Sequence, residues 1–159
     1  MARTAFDPQV FAQTAIKAQL DTEIIPCPVG DYKFTITKVD FRQNKGAKEE
    51  TKDRVFTSCD VTCELDIDLY PEVVEATKRD KIILRHGFLL DINEATGLLD
   101  VEAGKNVNLG RLREAVGQND DSEWTFNQLL GQPIIGHVTH RTMPNGNAMA
   151  EIDRVAQVD

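Results

Sequence analysis

From Tyr32 to Phe41 the chain alternates between apolar and polar residues. Tyr32, Phe34 and Ile36 fall on one side of an extended backbone, and Lys33, Thr35 and Thr37 on the other. This is the period of a strand with one wet face. Val39 and Phe41 then fall on the opposite parity, which predicts a bulge or sharp bend near Lys38. Strongly bent strands are what small barrels need. The clearest strand is VFTSCDVTCEL, residues 55 to 65, with Val55, Thr57, Cys59, Val61, Cys63 and Leu65 on one side. Phe56, Ser58, Asp60, Thr62 and Glu64 make its other side. Between these two strands, QNKGAKEETKDR (43 to 54) is too polar to bury and reads as a loop.

Further along, KIILRHGFLLDI (81 to 92) reads as a third strand mostly buried on both faces, and the EATG turn followed by LLDV as a hairpin return. PIIGHVTHR and AMAEIDRV, joined by the Pro144-Asn145-Gly146 turn, form a closing hairpin. Helical signals are shorter. Asp7 followed by Pro8 starts a helix or arm over 8 to 20, and Pro71 starts one over 71 to 80. PCPVGDY (26 to 32) breaks structure before the first strand. Asn108 caps a helix striped by Leu109, Leu112 and Val116 and ended by Gly117. Ser122 caps another that runs through Trp124, Phe126, Leu129 and Leu130 to Gly131.

These elements predict a mainly β protein with α insertions (α+β). The architecture is a small twisted antiparallel β-barrel, OB-like, with a two-helix insertion before the final hairpin. Residues 1–24 are expected to be an N-terminal helix or arm, and 25–159 a single OB-like domain.

Composition narrows the chemistry. With 159 residues, 41% of them hydrophobic and 28% charged, the chain is long enough for one packed core without disulfides. It contains no apolar run of about 18 residues that could span a bilayer and no leader-like apolar segment at its start. A soluble cytoplasmic protein is expected. The three cysteines include no CxxC, which suits a reducing compartment. Cys59 and Cys63 share a strand face and read as small buried hydrophobes.

The net charge is −8, from 26 acids against 18 bases. A chain presenting that balance evenly repels nucleic acid. Residues 33 to 54 run against the global sign, with Lys33, Lys38, Arg42, Lys45, Lys48, Lys52 and Arg54 against Asp40, Glu49, Glu50 and Asp53. Binding a polyanion therefore requires these cations to gather on one concave surface while the acids face elsewhere.

NVNLGRLREAVGQN, FNQLLGQPIIGHVTHR and the closing GNAMAEIDRV resemble a family of small phage-encoded proteins, as does an early P-x-G-x-Y-x-F strand made by Pro28, Gly30, Tyr32 and Phe34. The resemblance spans about residues 25 to 156. Such proteins are generally regarded as single-stranded DNA-binding proteins or are left unassigned, and are often encoded beside replication and recombination genes. The resemblance implies single-stranded DNA as ligand and phage replication or recombination proteins as partners, in the host bacterial cytoplasm, with homo-oligomerisation left open. The mixed tail AEIDRVAQVD departs from the dense acidic tail by which many acidic single-strand binders recruit partners.

Single-strand binding needs cations for phosphates and exposed aromatic faces for bases. Phe56, the only large apolar residue on the polar face of its strand, and Phe41, after the phase slip, are the aromatic candidates; Trp124 reads as packing. The basic candidates are Lys33, Lys38, Arg42, Lys45, Lys48, Lys52, Arg54, Arg85, Arg111 and Arg141, with Arg113 beside them. Each taken singly also reads as a solvated surface charge.

Glu64, Asp66 and Asp68 alternate as hard-cation ligands would, but no partner base or distant acid accompanies them. His137 and His140 fall on opposite faces of one strand, and His86 fits no ligand spacing with Cys59 or Cys63. No phosphate loop, nucleophile elbow or HExxH is present. No cofactor is implied, and the expected class is a binding protein rather than an enzyme. The competing expectation is an acidic interaction protein, a virion component or a binder of a host factor, in which the −8 charge is the working feature.

Overall fold

The computed structural model describes residues 5–46 and 54–159. Asp7 caps α1 (Pro8–Gln13) by accepting from the Gln9 and Val10 amides, and the helix ends six residues on rather than near residue 20. No residue of α1 is buried, so nothing stabilises a longer helix there. The chain then runs exposed to Ile25, whose carbonyl accepts from the Arg79 guanidinium.

β1 (Gly30–Lys45) and β2 (Val55–Leu65) form a long antiparallel ribbon. Its register slips between Ile36 and Lys38, where the sequence changes parity. The bulge therefore keeps Val39 and Phe41 on the same face as Phe34 and Ile36. β2 leads through a 3-10 turn at Ile67–Leu69 and α2 (Pro71–Thr77) into β3 (Ile83–Leu90), which pairs back on β2. Lys78 ends α2 in a left-handed conformation, so the basic residues fall just beyond the helix. α3 (Val107–Ala115) precedes β4 (Pro133–Thr142) and β5 (Ala148–Ala156), whose hairpin turns at Gly146.

The five strands make one antiparallel sheet in the order β3-β2-β1-β4-β5, and the protein is mainly β with a few short helices. β1 pairs with β2 along its whole length beyond Phe34 but with β4 only from Gly30 to Thr35. No ladder joins the edge strands β3 and β5 among the described residues. They are linked instead by a side chain, because His86 Nδ1 lies 2.9 Å from the Ile152 carbonyl oxygen and donates to it.

One face of the sheet builds the core. Phe34, Ile36, Val61, Cys63, Ile134 and Val138 are fully buried on it, and Leu109, Leu112 and Ala115 of α3 cover it. Each such large side chain contributes about 1.5–3 kcal/mol through removal from water. Cys59 and Cys63 are buried as expected, and burial pushes both thiols up to about 12.

Three elements differ from the sequence reading. β3 is not buried on both faces: Ile83, Arg85, Gly87 and Leu89 are exposed while His86 and Phe88 point inward. It is an edge strand with one wet face. The expected EATG/LLDV hairpin reduces to a single bridge between Ile92 and Leu99. The chain there is committed to a strap in which the Asn106 amide donates to the Asp91 and Asp100 carbonyls at 2.9 and 2.8 Å. Asn106, not Asn108, therefore stands at the start of α3, and it does so in a left-handed conformation. The second expected helix is one 3-10 turn, Phe126–Leu129, capped by a Thr125–Gln128 box. Ser122 does not cap it, since its hydroxyl donates to Asp120 instead. No helix among the described residues is long and apolar enough to cross a membrane.

Candidate nucleic-acid interface

Register decides which side chains meet on the face turned away from the core. Lys38 lies opposite Thr62, Asp40 opposite Asp60 and Arg42 opposite Ser58 across β1 and β2. Thr62, Asp60 and Ser58 lie in turn opposite Arg85, Gly87 and Leu89 of β3. This outer face borders a cavity of about 550 Å³ whose far wall comes from β4 and β5, with Arg141, Met149 and Glu151, and whose floor is Phe88 and Ile152. Arg42, Arg85 and Arg141, from three different strands, thus line one concavity.

Their charge is not unopposed. Arg42 grips Asp60 through two nitrogens, with Nη2 3.3 Å from Oδ1, and Asp60 is only 5% exposed. Gly87 makes room for that carboxylate, since a Cβ there would stand 3.1 Å from Asp60 Oδ1. Arg141 Nε lies 3.9 Å from Glu151 Oε2. Arg85 is exposed, and among the described residues no carboxylate lies within 4.0 Å of it. With Asp153 included, three arginines meet three acids in the lining. The expected segregation of cations from acids is not realised in this cavity. Cross-strand pairing of opposite charges outweighs it.

The remaining predicted residues divide. Phe56 is half-buried on the outer face, opposite Asn44. Lys38 is exposed there and lies 3.4 Å from Asp40. Lys33 sits at the start of β1, 3.5 Å from Asp66, whose other oxygen accepts from Thr35. That use of Asp66, and the end of β2 at Leu65, dissolve the expected row of Glu64, Asp66 and Asp68 on one strand face. Arg111 lies on α3 beside Val155 and Gln157, outside the cavity lining. Lys45 and Arg54 are exposed where the ribbon ends, and the Arg54 carbonyl accepts from Gly46 at 3.0 Å. Lys48 and Lys52 lie outside the described residues.

Phe41 faces the opposite way from Arg42 and Phe56. It lies opposite Cys59 and packs edge-on against Phe126, with ring centres 4.9 Å apart. Phe126 leans on Trp124 at 5.0 Å, and the Arg113 guanidinium covers the Trp124 ring at 4.6 Å. Arg113 also donates to the Gln118 and Asp120 carbonyls, so it pins the loop before β4 and has little capacity left for a ligand.

The histidines have structural partners. His137 meets Asp31 at 2.7 Å, and His140 meets the Cys27 carbonyl at 2.7 Å. His86 is buried, and burial holds its pKa below the ordinary imidazole value. No three His, Cys, Asp or Glu side chains among the described residues converge as metal ligands do. Sequence reasoning missed Asp60, Gly87, Leu89 and Met149. The one signal for them was Asp60, a carboxylate at the centre of β2 flanked by Cys59 and Val61.

Comparison of the chain with protein-family models and with curated proteins finds no match in either.

Proposed function

We propose that this protein binds single-stranded DNA without sequence preference, across the outer face of β2 and β3. The observation that carries the reading is the convergence of Arg42, Arg85 and Arg141 from three strands on one cavity. Arg85 supplies the most available charge, and a phosphate entering beside it competes with Glu151 for Arg141. Apolar surface for bases lies alongside: Leu89 is 59% exposed, Met149 is 37% exposed, and Phe56 shares this face.

The fold is read as a partly open barrel of the OB kind. β1 pairs on both sides, α3 stands between β3 and β4, and His86 draws β3 to β5. In such barrels the face of strands 2 and 3 and the loops beside it hold oligonucleotides, and here the cavity occupies that face. The resemblance to phage single-strand binders supports the same role, beside replication or recombination proteins in the host cytoplasm. Binding rather than catalysis is the activity proposed. The competing reading, an acidic interaction protein, is favoured by the exposed Phe6, Val10, Phe11 and Ile16 of the N-terminal arm.

Amide chemical shifts test the placement. Titrating oligo-dT into isotopically labelled protein at low salt is expected to move the resonances of Ser58, Thr62, Arg85, Gly87 and Leu89 first. Perturbations confined to α3 or the N-terminal arm, or none at all, overturn the proposal.

A further inference from the structure

β1 outruns β4. Beyond Thr35 the strand keeps β2 on one side only, so from Lys38 to Lys45 its other edge carries no strand partner among the described residues. The far end of β1 therefore has an open edge, with exposed side chains of that strand turned to either face. On the outer face stand Lys38, Arg42 and Phe56. On the inner face, at the margin of the core, stands Phe41, 50% exposed, and beyond it Lys45 and the exposed Val55.

An open edge eight residues long can accept a strand from another protein. This one is poorly suited to that, because Lys38, Asp40, Arg42 and Lys45 interrupt it with charge and the bulge at Ile36 and Lys38 bends its near end. What the edge does offer is alternation: cations reachable from either face, with an aromatic ring on each. Phe41 is also held ready, since Phe126 fixes its ring edge-on and limits the motion a base would otherwise have to arrest.

We infer that a bound single strand crosses the open edge of β1, so that the ribbon is gripped on both faces: phosphates meet Lys38 on the outer side and Lys45 on the inner, and a base stacks on Phe41. This rests on the single-strand reading and extends it to a second subsite, reached only by a strand long enough to pass from the arginine cavity over the edge.

Length dependence separates the two claims. Fluorescence anisotropy is read with labelled oligo-dT of about six and about twenty nucleotides, the first near the lower end and the second beyond the upper end of the roughly 4–16 nucleotides that one such barrel covers. Phe41→Ala is expected to weaken the long oligonucleotide about tenfold and leave the short one unchanged. Phe41→Leu, which keeps an apolar contact with Phe126, is the control for folding and is expected to weaken long-strand binding in the same direction. Lys45→Glu is expected to act on the long strand alone. If wild type binds and both Phe41 variants retain full affinity at both lengths, the second subsite is overturned while the first stands. Equal weakening at both lengths also overturns it, because Phe41 then belongs to a single short site. If wild type binds neither oligonucleotide, the single-strand reading itself fails.

Discussion

Reversing Arg85 and Arg141 together to glutamate is expected to lower affinity for oligo-dT on the order of a hundredfold at moderate salt, about 2.8 kcal/mol. Both side chains are exposed, and neither supports the core. The Arg141–Glu151 pair is wide and solvated, so its loss costs well under about 1 kcal/mol of stability. The binding cost is larger because two attractions to phosphate become two repulsions within one concavity. Removing two phosphate contacts also flattens the plot of log affinity against log salt by about 1.4, at roughly 0.7 per contact on a single strand. Arg111→Glu is the control for net charge, since it makes the protein more acidic, by half as much as the double variant, at a position outside the cavity lining. A loss in the double variant only about twice that of Arg111→Glu on a logarithmic scale would mean that net charge alone governs binding. Arg42 is unsuited to this test. Its removal strands the buried Asp60 carboxylate at a cost of about 1–3 kcal/mol, which confounds affinity with stability.

The second large effect concerns the seam between β3 and β5. His86 is buried beside Phe88 and its Nδ1–H bonds the Ile152 carbonyl, so the neutral ring both packs and links the two edges. His86→Ala is expected to destabilise the fold by about 2–4 kcal/mol, through a cavity and an unsatisfied carbonyl together. Acid should act on the same point. Burial lowers the folded-state pKa, against partial opposition from the Ile152 bond and from Asp153 nearby. The unfolded chain therefore takes up a proton at His86 that the folded one resists. Stability is then full above the unfolded value of about 6.5 and falls as pH drops below it, by at most about 1.4 kcal/mol per pH unit. Urea unfolding of wild type and of His86→Asn, which keeps a donor for Ile152, reads this directly. Wild type should lose more stability than the variant between neutral pH and about pH 5. Parallel pH profiles would remove His86 as the cause.

The strands were legible where apolar and polar residues alternate, as in residues 32–41 and 55–65, although Ser58 and Asp60 on the polar side of the second are themselves buried. Even the bulge showed, as a change of parity before Val39. β3 misled because Ile83 and Leu89 are apolar yet exposed on its wet face, so the alternation was masked. The second helix misled because Ser122 and Thr125 are both plausible caps, and only the fold shows Ser122 spent on Asp120.

Strand parity also sorted part of the site. It placed Phe56 on the polar face, and it marked Phe41 as the residue after the slip. It could not place Arg141 beside Glu151, which depends on a second register shift between His137 and Val138 in the β4–β5 pair. Nor could it show that Arg42 is committed to Asp60. For that reason the charge balance of the cavity, as distinct from its list of cations, was out of reach of the linear chain.

The most direct measurement is fluorescence anisotropy of labelled oligo-dT with wild-type protein, titrated at a series of salt concentrations. Saturable binding whose affinity falls steadily with salt, and which exceeds that for duplex of equal length, is the predicted result. Absence of binding even at low salt, or affinity indifferent to salt, would contradict the account.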